Sequence, residues 1–185
     1  MKKDIYRGHN ASRWAAIVVT AVTATGCHVY QPYPPTPPTE AAKALEELKS
    51  LPSFEDTMAQ VQAAMTEITS AATNIIPSIT WETPHEGSTG NCEHPYEQTD
   101  GKRYFLPDQV AVRVPLSESD WAKVLEAAKE AAAKIGATNV QVMQDQPGNH
   151  DVWFSGPTGI FIKIGYRGNL VVSGYTGCRL PRAKK

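Results

Sequence analysis

The sequence predicts an α+β domain: an antiparallel sheet of about four to six strands with two main helices packed on it, preceded by a signal peptide and a Pro-rich tether. Three observations carry that prediction. Phe54, Met58, Val61, Met65, Ile68, Ala72 and Ile75 recur at spacings of four and three, so one apolar stripe runs the length of a helix. Trp121, Val124, Leu125, Ala128, Ala132 and Ile135 make a second such stripe. Four short alternating segments then follow, at Val140 and Val142, Asp151–Ser155, Ile160–Tyr166 and Leu170–Tyr175. The GPTG and RGN turns between the last of them suit antiparallel hairpins, which makes a meander.

The chain opens with Lys2, Lys3, Arg7 and Arg13 ahead of the uncharged run Trp14 to Cys27. A basic start, an apolar centre and a small-residue exit are the three parts of a secretory signal, and the centre is too short to span a bilayer as a helix. Ala24, Thr25, Gly26 and Cys27 match a bacterial lipobox, with Ala24 where such motifs usually carry Leu. Residues 1–26 are therefore expected to leave as a lipoprotein signal peptide. Cys27 becomes the lipid attachment site, carrying a diacylglycerol thioether and further palmitate-type acylation, and so fastens the chain to the outer, extracytoplasmic side of the cell membrane.

Removing that leader takes four of the 18 basic residues and one of the 19 acidic ones, leaving a net charge of -4. A mildly acidic body without a basic cluster argues against nucleic acid as a partner. Arg179, Arg182, Lys184 and Lys185 gather only at the C-terminus, where a solvated tail is the expectation. With Cys27 lipidated, Cys92 and Cys178 remain as one pair in an oxidising compartment, and a disulfide between them is expected. The other reading of Cys92, a nucleophile beside His94 or His85, needs a thiolate that such a compartment would consume.

Residues 27–39 form the tether, with five prolines between Val29 and Thr39 that favour polyproline II. A single domain spans 40–185. Glu40–Ser50 reads as a short helix that Pro52 ends, and Ser53 caps the long one, with Glu55 and Asp56 in its first turn. Ser78–Thr83 is a strand candidate around Ile79 and Trp81. The segment after it, holding His85, Glu86, Cys92, Glu93, His94 and Glu97 among Gly and Pro, reads as a long loop. Its two His lack an HxxxH or HExxH spacing, so no metal ligand is assigned and no cofactor is implied.

Val110, Val112 and Val114 predict a strand between Pro107 and Pro115. Ser117 with Asp120 is a capping-box variant, Leu116 and Trp121 fit a hydrophobic staple, and Gly136 marks the exit of that helix. Glu126 with Lys129 and Glu130 with Lys134 are expected to pair on its outer face. His150 with Asp151 reads as a surface pair. Strand alternation puts Val140, Val142, Val152, Phe154, Ile160, Ile162, Ile164, Leu170 and Val172 on one buried face. The other face mixes Gln141, Met143, Trp153, Phe161, Lys163, Val171, Ser173 and Tyr175. It is either half-covered by a helix or a binding surface centred on Trp153, Phe161 and Tyr175.

TGCRLP at Thr176–Pro181, the TGC of the lipobox, the Asn91–Cys92 loop and the order helix, strand, cysteine loop, strand, helix, meander together resemble the mycobacterial LppA-type lipoproteins. The resemblance implies a membrane-anchored lipoprotein without an established activity, so it transfers Cys27, Cys92 and Cys178 and no catalytic residue. The reading is a cell-envelope lipoprotein acting as a non-enzymatic binding module for an envelope protein or small ligand. Two others stand beside it: an envelope hydrolase using the His85, Glu93 and His94 loop, and a structural or assembly factor.

Overall fold

Local chemistry sets the helices. In the computed structural model, which describes residues 34–185, Ser53 accepts the Asp56 amide through its side chain and α2 runs Phe54–Ile75. Ser117 caps α3, Glu118–Lys134, in the same way through Asp120. A first helix, α1, spans Pro38–Ser50 and so begins two residues inside the expected tether, because Pro38 is pre-organised for a first helical turn. Pro37 before it keeps the polyproline II conformation, with φ -56 and ψ 144. The signal segment, Cys27 and the tether up to Tyr33 lie outside the described residues.

The sheet is antiparallel and has eight strands, more than the four to six expected. β1 (Trp81–Glu82), β4 (Gln109–Ala111), β8 (Leu170–Tyr175), β7 (Phe161–Tyr166), β6 (Asn149–Ser155) and β5 (Asn139–Gln146) follow one another across it. β2 (Ser88–Asn91) falls in the segment read as a loop and forms a hairpin with β3 (Lys102–Phe105), which follows that segment. β3 and β4 lie end to end along β8, since Phe105 faces Tyr175 while Gln109–Ala111 face Val172–Leu170. Pro107, which has no N–H to donate, sits in the break between them.

The strand expected through Val114 stops at Ala111. Arg113 takes a left-handed φ of 54, which turns the chain out of the ladder and leaves Val112 half exposed. The meander β5 to β8 forms as expected.

Both long helices pack on one face of the sheet. Val61, Met65, Ile68 and Ala72 of α2 and Trp121, Val124, Ala128 and Ala132 of α3 are buried with Val152, Phe154, Ile160, Ile162, Ile164, Leu170 and Val172. Gly174 lets α2 approach β8, for a Cβ there would stand 2.7 Å from both Met65 Sδ and Val61 Cγ1. Val140 and Val142 correct the expected core: they sit opposite Phe154 and Val152 on the same face, yet are 45% and 59% exposed. β5 is the sheet edge and neither helix extends over it. The Glu126–Lys129 pair forms, whereas Lys134 reaches across to Glu67 of α2 instead of back to Glu130.

Two buried polar residues depart from the surface roles expected of them. His150 is 4% exposed, stacked on Trp121 at 4.6 Å and flanked by Glu118 Oε2 and Asp145 Oδ1, each at 3.1 Å. Its neighbour Asp151 points to the opposite face and binds Lys163. Arg179 is 3% exposed, not part of a solvated tail. The rest of that terminus is also tied down, with Arg182 on Asp56, Lys184 on Asp100 and Lys185 Nζ on the carbonyls of Lys49 and Leu51.

Candidate functional site: a clasped pole and an open aromatic face

Cys92 and Cys178 form the expected disulfide, with Cα atoms 5.5 Å apart. Around it Leu48 of α1, Leu180 and the two cysteines make a small second core, to which Tyr96 adds. Tyr96 donates to Glu47 at 2.9 Å, and burial together with that carboxylate pushes its phenol up to about 12. Arg179 runs behind this pole. Its Nε donates to Thr57 Oγ1 and its Nη1 to the Cys178 carbonyl and the Thr158 hydroxyl, so it joins α2 to the GPTG turn. Among the described residues it has no carboxylate in ion-pair contact, and burial lowers its pKa.

The polar loop after Cys92 holds the incoming chain. Thr36 is 2% exposed. Its amide donates to Glu97 Oε1 at 2.9 Å, its hydroxyl engages the same oxygen and His94 Nδ1, and Gln98 Nε2 donates to its carbonyl at 2.5 Å. Hydrogen bonds from the Thr36 hydroxyl and amide hold the Glu97 carboxyl down at about 2. Glu93 binds Arg103 at 2.6 Å. His85 lies elsewhere, in a cleft with Tyr104 and Pro107. The fold therefore does not assemble His85, Glu93 and His94, and no group of three His, Cys, Asp or Glu able to hold a metal occurs among the described residues.

Away from the helices, the opposite sheet face carries Trp153, Phe161 and Tyr175, and the fold brings all three together. Phe161 meets Trp153 edge-on at 5.3 Å and Tyr175 at 6.2 Å. A fourth ring, Phe105, stacks flat on Tyr175 at 4.8 Å and is 43% exposed. Sequence reasoning missed it because it assigns no element to Lys102–Phe105; the alternation of Lys102 and Tyr104 with Arg103 and Phe105 is the signal that marks it. Cross-strand aromatic pairs of this kind contribute about 0.5–1.5 kcal/mol each.

These rings line an apolar cleft of about 370 Å³ together with Leu106, Asp108, Ser173 and Gly174. Trp153 is oriented by donating to Asp151 at 2.7 Å, and Lys163 lies over its ring at 5.6 Å. On the far side of Tyr175 a smaller, polar cleft of about 260 Å³ is lined by Arg103, Glu93, His94, Thr158 and the disulfide.

Comparison with known proteins agrees with this architecture. The crystal structure of LppA from Mycobacterium tuberculosis superposes with a TM-score of 0.62 at 16% identity, covering 78% of this chain and 89% of that one. A DUF4853 family protein from Actinomyces odontolyticus gives 0.48 at 14% identity, covering 75% and 74%. No curated protein matches. The first of these shows the fold alone; membership rests on sequence. The family model LppA, described as a lipoprotein confined to pathogenic Mycobacterium, matches residues 29–182, and the chain belongs to that family.

Proposed function

We propose that the chain is exported, lipidated on Cys27 and held on the outer side of the cell membrane, and that it works there as a binding module whose ligand surface is the open sheet face. Membership of a lipoprotein family supports the anchor, together with the lipobox. No helix among the described residues is long and apolar enough to cross a membrane. One observation carries the binding reading. Four aromatic side chains on four strands line a solvent-open apolar cleft on a face that neither long helix covers. An exposed apolar patch with a polar rim is the usual mark of a recognition site.

Trp153→Ala and Phe161→Ala test it. Both rings are half-buried, so each variant stays folded and loses less than the roughly 3 to 5 kcal/mol of an aromatic truncated inside a core. A loss of that full size in urea unfolding would make the rings core and remove the surface. Stable variants that no longer retain material bound by the wild type from a cell-envelope extract support the reading.

A further inference from the structure

The edges of the sheet are unlike. On one side it ends in β1 and β2, of two and four residues, too short to template another strand over any length. On the other, β5 runs for eight residues, every one exposed, with β6 as its one neighbour. In a strand so placed, half of the backbone N–H and C=O groups point away from the sheet. Among the described residues no loop or turn bonds to them. Long edges are commonly blunted with Lys or Pro. β5 reads NVQVMQDQ, which has neither, and Asp145 is its one charge. A bulge between Val142 and Gln144 leaves 139–142 as its regular stretch. There Val140 and Val142, on the helix side of the sheet, stand 45% and 59% exposed where the core stops. An open backbone row and two uncovered valines are what an internal strand shows once its second neighbour is taken away.

We infer that β5 pairs antiparallel with β5 of a second copy of this chain, about a twofold axis at Gln141, so that two sheets join into one. The backbone row sets the class of occupant, since an extended strand is what answers it. The side chains select a second copy. A twofold at Gln141 sets Val140 of each copy opposite Val142 of the other, and four exposed valines close into one patch between the two cores. On the opposite face Gln141 meets Gln141, and each amide can both donate and accept. Asp145 falls outside the paired stretch, so no like charges oppose one another. An axis at Val142 would instead run the ladder through the bulge and set Val140 against Gln144. No residue of β5 lines the aromatic cleft, so the pairing and the binding surface stand or fall independently.

The experiment follows the full chain carrying Cys27→Ala, so that lipid makes no contribution to association, by sedimentation velocity over a series of concentrations. A dimer should appear whose share rises with concentration. Val142→Lys changes an exposed side chain, keeps the monomer folded, and should raise the dimer dissociation constant by about tenfold or more, because it sets an ammonium into the valine patch. Single thiols read the register, Cys92 and Cys178 being already joined. Under mild oxidation Gln141→Cys should crosslink into a covalent dimer. Asn139→Cys should not, for its two copies would lie about 13 Å apart along the ladder. Equal crosslinking by both thiols, or a dimer that Val142→Lys leaves intact, overturns the pairing by placing the contact elsewhere. A monomer at every concentration overturns it too. A monomer whose β5 amide signals move on adding a Thr-Val repeat peptide overturns the second copy as occupant and gives the edge to a strand of another protein.

Discussion

Glu97 illustrates how much a single side chain can be asked to do. Its carboxylate accepts both Thr36 donors and is held down at about 2, below the 4.5 of a free glutamate. A carboxyl whose pKa is depressed on folding favours the folded state above its unfolded value, and that contribution disappears as pH falls toward the folded one. The clasp should therefore be intact at pH 6 and release between pH 4.5 and 2. Glu97→Gln should flatten the acid limb of a Tm-against-pH curve, and an unchanged limb would show that Glu97 does not fasten Thr36. The partners of the His/Glu loop were not legible at this scale. Its residue types were legible, but their partner was a threonine 61 positions away, and nothing local announces such a contact. Arg179 is similar: clustered with Arg182, Lys184 and Lys185 it reads as tail, and only the return of the chain past Thr57 and Thr158 buries it.

Elements were legible where one period runs far enough to average out exceptions. α2 and α3 follow from stripes of several turns plus a serine cap, and the meander follows from alternation with turn residues at its corners. Short strands fail that test. β1, β2, β3 and β4 have two to four residues each, at most two full alternations, and they exist because β8 and the disulfide offer them partners. Val140 and Val142 show the converse limit, since alternation assigns a face but not whether a helix reaches over it. The junction of α2 with β8 gives a sharp test. Gly174→Val would drive its side chain into Val61 and Met65, and overpacking of this kind should lower stability by about 1–3 kcal/mol in denaturant unfolding. Gly168→Ala, which meets nothing within 4 Å, should cost less, through its φ of 74 alone.

Across the whole molecule the disulfide closes a long loop, joining residues 86 apart. In the chain-entropy model that constraint stabilises by roughly 4 to 5 kcal/mol, so Cys92→Ser with Cys178→Ser should unfold at markedly lower urea. Equal midpoints for the double variant and the oxidised wild type would remove the claim. The anchor is testable at the same scale. Cys27→Ala should leave unprocessed precursor or release the protein to the soluble fraction, and wild type without a lipid mass increment would contradict the lipobox. Architecture was the part of the answer most open to sequence, because two striped helices and a meander leave few ways to bury their apolar faces. The aromatic cleft was half legible: alternation put Trp153, Phe161 and Tyr175 on one face, while Phe105 joined through a strand too short to recognise. The clasp at Thr36 adds a mechanical property. Because Thr36 is grasped by the loop that begins at Cys92, a pull on the tether is delivered to a covalent crosslink and to the segment beyond β8. With the anchor proposed at Cys27, tension would run along this crosslinked corner.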